Sequence, residues 1–398
     1  MGKIFSKKKN TGIWNRIRSD DSTRLRLKYD AYYHIFDDQS GTRVTKDGKE
    51  YVMLSSNDYL GLSQHPKIKE AGIQALQKWG SSTTGARLAN GGRIFHRALE
   101  EDLADFLGME ACHVFSAGYL ACASAITGFV DRKDLVFADK NLHSSLWSGI
   151  KLSGAKCERF AHNHPEHLRE ILSHEDPKTN KALVIEGIYS MEGHIARLPE
   201  LLEVAKEFGA FFILDDAHGI GVLGDDGRGT ANHFDLTDQI DVICGSFSKS
   251  FSGMGGFVCA SKEAIDYMRS HSKQTIFSAA LSPVSTACAH AALGIIRSEP
   301  EHRKKLEANL SRYRKLLDEL NLDTWNSESP AVPIVLGKKE KVYYFWKALL
   351  EKGVYAIISV APGVPPGKDL IRTAISAAHT EEDFDLIEEA FRYAVTKI

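Results

Sequence analysis

No stretch of the 398 residues approaches the ~18 consecutive apolar residues that a membrane-spanning helix needs. No secretory hydrophobic region is present either. The six cysteines, at positions 112, 122, 157, 244, 259 and 288, show no CxxC or other metal-ligand spacing. Several fall in apolar strand-like runs, so buried free thiols in a reducing compartment are expected. Charge imbalance is also lacking. With 50 Lys and Arg against 52 Asp and Glu, the net charge is −2, which removes any global pull towards nucleic acid. There is no internal repeat and no low-complexity linker. These absences leave a soluble cytoplasmic protein, long enough for one large and one small domain, each with its own core.

The first thirty residues depart from that average. They hold nine Lys or Arg (3, 7, 8, 9, 16, 18, 24, 26, 28) against three Asp (20, 21, 30). Met1-Gly2-Lys-Ile-Phe-Ser6 fits the myristoylation pattern, with Lys7, Lys8 and Lys9 as a second, electrostatic anchor. Peripheral membrane contact through this basic segment is one expectation; a basic leader without a lipid is the other.

Beyond the leader, Gly48–Leu54 reads as a strand and Lys67–Trp79 as a helix. A Gly/Ser/Thr-rich loop spans 80–92, and a strongly periodic helix covers Phe95–Leu107. Short β-branched runs then alternate with helical spacers. The strands are expected at Ala111–Phe115, Leu135–Ala138, Cys157–Ala161, Ala182–Gly187, Phe211–Asp215, Asp241–Cys244 and Gly256–Ala260. Helices fit between them at Tyr119–Phe129, Ser144–Leu152, Pro165–Ser173 and Pro199–Phe208. That rhythm predicts an α/β fold with a mostly parallel sheet. From about Val284 the pattern changes to one long helical stretch reaching Leu320. Short strands at 331–336 and 356–359 follow, then the proline-rich 362–367, the segment 370–376 and a final helix from Glu381. The expected division is a basic segment 1–47, a large domain 48–285 and a smaller C-terminal α/β domain 286–398.

The chemistry concentrates at Asp241-Val-Ile-Cys-Gly-Ser246-Phe-Ser-Lys249-Ser, followed by the glycine cluster up to Gly256. A lysine at a strand end among serines and glycines can form an imine with an aldehyde beside a bound phosphate. Three other groups supply what such a lysine needs. Ser116-Ala-Gly118-Tyr119 opens a helix whose free N–H groups suit a phosphate. Asp215, ending an apolar strand, can keep a pyridinium protonated, and His218 three residues on can bond a phenolic oxygen. His143 follows another strand and can stack on an aromatic ring. Together the four groups imply pyridoxal 5'-phosphate (PLP).

The motifs also occur in a familiar order. Asn57-Asp-Tyr-Leu-Gly-Leu, Thr84-Gly-Ala-Arg87, His96, His143-Ser, Glu186-Gly-Ile-Tyr-Ser190-Met, Asp215-Asp-Ala-His218-Gly, Gly227-Arg-Gly, Ser246-Phe-Ser-Lys249 and Ala377-Ala-His379 resemble the α-oxoamine synthases. The resemblance covers roughly residues 45–395. It implies the PLP-dependent transferase fold type I and a homodimer with shared active sites. It also implies a decarboxylative condensation of an amino acid with an acyl-CoA. By position, it makes Lys249 the Schiff-base lysine, Asp215 the pyridinium partner and His218 the phenolic-oxygen contact. His143 would stack on the ring, with Gly118, Tyr119 and Ser246 on the phosphate and Ser278 arriving from the partner chain. Ser190 and Glu186 would line the pocket. Arg372 would bind the amino-acid carboxylate, with Asn57 nearby.

Two positions depart from the family pattern, Ala117 before the phosphate-loop glycine and Cys122 three residues after Tyr119. Phosphate binding by backbone N–H groups with fewer side-chain contacts is therefore expected. Phe-Ser-Lys-Ser250 leans towards the members that condense L-serine with a long-chain acyl-CoA. The alternative is L-alanine with a pimeloyl thioester. A non-catalytic partner subunit is disfavoured because Lys249 and Asp-x-x-His are both present.

Overall fold

The structure, a computed structural model, describes residues 12–19 and 31–398. Gly2 and Lys7–Lys9, on which the acylation and anchor expectations rest, lie outside the described residues.

The strands in chain order are β1 (Asp38–Ser40), β2 (Arg43–Lys46), β3 (Lys49–Met53), β4 (Ala111–Phe115), β5 (Leu135–Asp139), β6 (Lys156–Phe160) and β7 (Lys181–Glu186). They continue with β8 (Phe211–Asp215), β9 (Val242–Ser246), β10 (Gly256–Ala260), β11 (Ala331–Val335), β12 (Val354–Tyr355), β13 (Ile357–Ser359) and β14 (Leu370–Ala374). Seven form the central sheet in the order β4-β10-β9-β8-β7-β5-β6. The neighbouring pairs from β9 to β6 are parallel, and β10 runs antiparallel to both β4 and β9. Every residue of β5, β7, β9 and β10 is buried, as is all of β8 but its first residue, Phe211. Helices on both faces of the sheet impose that, and it is why these strands read as continuous apolar runs. The seven expected strands are all present, with ends shifted by no more than two residues.

The C-terminal part is less regular. Strands β11, β14 and β13 form a small antiparallel sheet. Strand β12 instead pairs in parallel with β3, completing a sheet β1-β2-β3-β12. The expected boundary at 47/48 therefore falls in the turn of the β2–β3 hairpin. That hairpin is fastened to the C-terminal helix by Arg43 Nε, which donates to Asp383 Oδ1 at 2.6 Å.

The expected boundary at 285/286 falls in the first turn of helix Pro283–Ser298, which packs on helices Pro66–Trp79 and Ile94–Leu107. The single long helix expected through to Leu320 is two, Pro283–Ser298 and Glu301–Glu319. Pro300 lies at the break, where it has no N–H to give the helix ladder. A helix at Lys339–Glu351 was not foreseen.

Candidate active site

Four of the central parallel strands end on one edge of the sheet. Asp139 ends β5, Glu186 ends β7, Asp215 ends β8 and Ser246 ends β9. Glu186 and Asp215 are register partners, as are Asp215 and Cys244. Ligands in open α/β sheets lie outside such carboxyl ends. Here a cavity of about 210 Å³ lies there, lined by Gly118, Tyr119, Cys122, His143, Ser145, Glu186, Asp215, Ala217, His218, Ser246, Ser248 and Lys249. Residues from five separate segments thus converge.

The phosphate end is built from backbone. Helix Gly118–Thr127 has no side-chain cap at Ala117, and its first internal bond runs from Ala121 N to Ala117 O. The N–H groups of residues 118–120 therefore point out of the helix start, where the dipole favours an anion. Gly118 is required for space, since a Cβ there would lie 2.4 Å from Ser246 Oγ. Ser246 Oγ sits 2.8 Å from Ser248 Oγ and accepts from Ser248 N at 3.2 Å, so two hydroxyls face this corner.

At the acid end, Asp215 is buried and accepts from Ala217 N at 3.1 Å. Cys122 and Cys244 lie against it, the two sulfurs and a carboxylate oxygen all within 4.8 Å of one another. Cys122 therefore sits beside the acid rather than at the phosphate, where a missing contact was expected. Hydrogen bonding with Cys122, together with burial, pushes the Cys244 thiol well up. Both sulfurs are uncharged, and Asp215 faces no competing cation from that side.

The histidines are held neutral and oriented. Burial lowers His143, the charge of Asp215 opposes this and that of Lys249 adds to it. His143 caps helix Ser144–Ser153, and its Nδ1 accepts from Ser145 N at 3.3 Å and lies 2.7 Å from Ser145 Oγ. The ring proton is thereby placed on Nε2. His143 N donates to Glu186 Oε1. Burial, then the neighbouring Asp215, raises Glu186 well above the carboxylate range, so it stands as a neutral acid. For His218 burial dominates again, and the positive charges of Lys249 and Arg372 lower it further. Tyr59 Oη lies 2.8 Å from His218 Nδ1. Burial raises the Tyr59 phenol, so it keeps its proton to donate, and His218 too carries its own proton on Nε2.

The substrate side comes from distant chain. Arg372, central in β14, is only 8% exposed. Its Nε donates to Ser190 O at 2.8 Å and Nη2 to Asn57 Oδ1 at 3.0 Å. Its positive charge also acts on the Tyr59 phenol, lowering it against the larger effect of burial. Among the described residues no carboxylate pairs with it. A buried guanidinium without a counter-ion is a prepared carboxylate site.

Ser190 contributes its backbone carbonyl, and its side chain is not among the cavity lining. Ser278 does not line the cavity of its own chain. Sequence reasoning overlooked Tyr59, although it stands inside the quoted Asn57-Asp-Tyr motif. An aromatic in a turn gives little hint that its hydroxyl reaches a histidine 159 residues away.

The lysine, the strand-end acid, the two neutral histidines and the helix-start anion cradle fit PLP, and with this sheet they define a PLP-dependent enzyme of fold type I. Residues 49–391 match the family model Aminotransferase class I and II. The chain is 37% identical over 364 residues to the serine palmitoyltransferase of Bacteriovorax stolpii, covering 91% of this chain and 87% of that one. It is equally 37% identical over 358 residues to the 8-amino-7-oxononanoate synthase of Thermoanaerobacter pseudethanolicus, covering 90% and 91%. A solved structure of SPT with PLP superposes with a TM-score of 0.94 at 31% identity, over 98% of this chain and all of that one. The chain belongs to the aminotransferase class I and II family and, within it, to the α-oxoamine synthases, PLP-dependent acyltransferases.

Proposed function

We propose that the protein condenses L-serine with a long-chain acyl-CoA such as palmitoyl-CoA, releasing CO2 and CoA and giving the α-amino ketone that begins sphingolipid synthesis. The observation that carries an amino-acid substrate is Arg372, buried and without a carboxylate partner beside Asn57, outside the cavity lining but close enough for its charge to act on His218. The Phe-Ser-Lys-Ser250 form around Lys249 supports serine. A second reading, L-alanine with a pimeloyl thioester, is supported by the equal identity to an 8-amino-7-oxononanoate synthase.

Bound PLP supplies an aldehyde that captures amines and a ring that takes up electron density from Cα. Lys249 would bond the aldehyde carbon, Asp215 the ring nitrogen and His218 Nε2 the phenolic oxygen. His143 would lie on the ring face, with the N–H groups of Gly118 and Tyr119 and the Ser246 hydroxyl around the phosphate. Arg372 grips the substrate carboxylate through its planar fork. Lys249 Nζ, once freed, takes the Cα proton as general base. His143 Nε2–H would polarise the thioester carbonyl while Cα bonds to it and the CoA thiolate leaves. Glu186 fixes the position of His143 without adding charge.

The test is an amino-acid screen on the PLP-loaded protein, followed by CoA release over an acyl chain-length series. L-serine should perturb the visible PLP band and support CoA release with long chains, and Lys249→Ala should lose that band. No response to serine beside a clear one to alanine would replace the first reading by the second.

A homodimer with Ser278 entering the partner's site is part of this proposal. The bridge between Ala86 and Ala279 brings together segments that expose Leu88 (62%) and Phe277 (82%), a patch suited to a second copy. Sedimentation of Phe277→Asp as a monomer would support it, and a wild-type monomer would refute it. Peripheral membrane contact is proposed for helix Gly12–Ser19, which exposes Ile13, Trp14 and Ile17 beside a basic flank. Among the described residues no helix is long and apolar enough to cross a membrane. Co-sedimentation with anionic vesicles that Trp14→Asp does not weaken would remove this helix from the role.

A further inference from the structure

Outside the lysine cavity, three side chains meet where helix Pro283–Ser298 gives way to helix Glu301–Glu319. Glu299 is the C-cap of the first helix, and His302 lies in the opening turn of the second, in a Glu-x-x-His spacing. His65, the N-cap of helix Pro66–Trp79, approaches from a third segment. Glu299 Oε2 is 3.9 Å from His65 Nε2 and 3.5 Å from His302 Nε2, and the ligand atoms of all three lie within 4.8 Å of one another. All three side chains are about four-fifths buried.

These distances are long for charge-assisted hydrogen bonds, which run at ~2.7–2.9 Å. They suit ligands around an ion: bonds of ~2.0–2.1 Å in a tetrahedral shell leave ligand atoms ~3.4 Å apart. Lys67 engages the other carboxylate oxygen, Oε1, and so leaves Oε2 turned to both rings.

We propose that His65, Glu299 and His302 form a binding site for a divalent zinc-like ion, with water as the fourth ligand. Two imidazole nitrogens and one carboxylate oxygen are a zinc donor set. Binding through Nε2 moves the His65 ring proton to Nδ1 and gives up the weak cap bond that Nδ1 accepts from Lys67 N (3.3 Å). The ion ties three helix ends together. Helix Glu301–Glu319 also reaches the C-terminal sheet through Tyr313 Oη, which donates to Thr373 Oγ1 at 3.0 Å. Ion binding therefore stiffens the junction between the two parts of the chain. None of the three residues lines the lysine cavity, so this is a structural site, and it stands whichever acyl substrate the enzyme takes.

The experiment titrates Zn2+ into PLP-loaded enzyme previously stripped with chelator, by calorimetry and by metal analysis after dialysis. Holoenzyme keeps the cofactor over Asp215 and the neighbouring thiols, so that corner does not compete. One zinc per chain is expected, with a higher Tm when bound. His302→Ala and Glu299→Gln should each weaken binding ~100-fold, at or above the loss seen on removing even an outer-shell partner. The visible PLP band and turnover should stay unchanged, which also confirms folding; His302→Gln serves if the alanine variant misfolds. Zinc binding that survives both substitutions, or no saturable binding by the wild type, overturns the site.

Discussion

Tyr59 and His218 are joined by a hydrogen bond that sets which ring nitrogen of the histidine carries the proton. Burial keeps the proton on the phenol, the phenol donates to Nδ1, and the imidazole is left with its proton on Nε2. Tyr59→Phe removes the donor at Nδ1 and frees that nitrogen to take a proton. A neutral hydrogen bond of this kind is worth about 1 kcal/mol, so kcat/KM should fall roughly fivefold. The more diagnostic result is in the pH profile. Wild-type His218 is held well below the usual histidine value, so its protonation lies far on the acid side. In Tyr59→Phe the acid limb should move to higher pH. A profile that keeps its shape while the rate drops would make Tyr59 a packing residue only.

Short segments place the chemistry. Strands β5, β7, β8 and β9 each carry a polar residue at the carboxyl end of a buried run, and the parallel arrangement brings those ends to one edge. This much was readable, because an apolar strand followed by Asp-x-x-His or Ser-x-x-Lys shows both the strand and its end. The contact between helix Gly118–Thr127 and β9 was readable only in part. Gly118 is needed because Ser246 fills the space where a side chain would go. Gly118→Ala should push the helix start away from Ser246. Overpacking of this kind costs about 1–3 kcal/mol, so PLP affinity should fall roughly tenfold or more. Equilibrium dialysis against PLP measures it, and unchanged affinity would mean that the phosphate does not use this corner. The break at Pro300 and the helix at Lys339–Glu351 were missed because helical periodicity runs through the first and is blurred by aromatics in the second.

At the scale of the whole molecule, pH should act on stability through two buried groups away from the cavity. Burial alone would raise Glu100, but hydrogen bonds from His113 and Arg87 overcome this and hold it at about 2. Its folded value lies below the unfolded one, so its contribution is present above about pH 4.5 and is lost as pH falls towards 2. The depression corresponds to a few kcal/mol, on the order of 3. His96 is lowered to about 4, chiefly by burial, and its Nε2 lies 2.7 Å from Leu281 O. The unfolded chain takes up that proton first, so stability also declines as pH falls from about 6.5 to 4. Glu100→Gln should lower the denaturation midpoint at neutral pH and flatten its dependence below pH 4.5. It should leave the decline between pH 6.5 and 4 in place. Denaturant titrations at several pH values measure both limbs, and an unaltered acid limb in the variant would assign it to other carboxylates.

The sequence by itself determined the alternation of strands and helices, the fold type and the four residues Lys249, Asp215, His218 and His143. Each of these is a local matter: a buried parallel strand must be apolar throughout, and the residue just past its end is where polar chemistry becomes affordable. Tertiary structure alone decided the meeting of Arg372 with Asn57, 315 residues apart, and the joining of β3 to β12. It also decided the reach of Tyr59 to His218 and the convergence of His65 with Glu299 and His302. Apart from the Tyr59–His218 contact, which joins distant segments of the large domain, these contacts depend on how the C-terminal part docks on that domain. Packing at that scale follows from the summed shape of two buried surfaces, and no short run of residues encodes it.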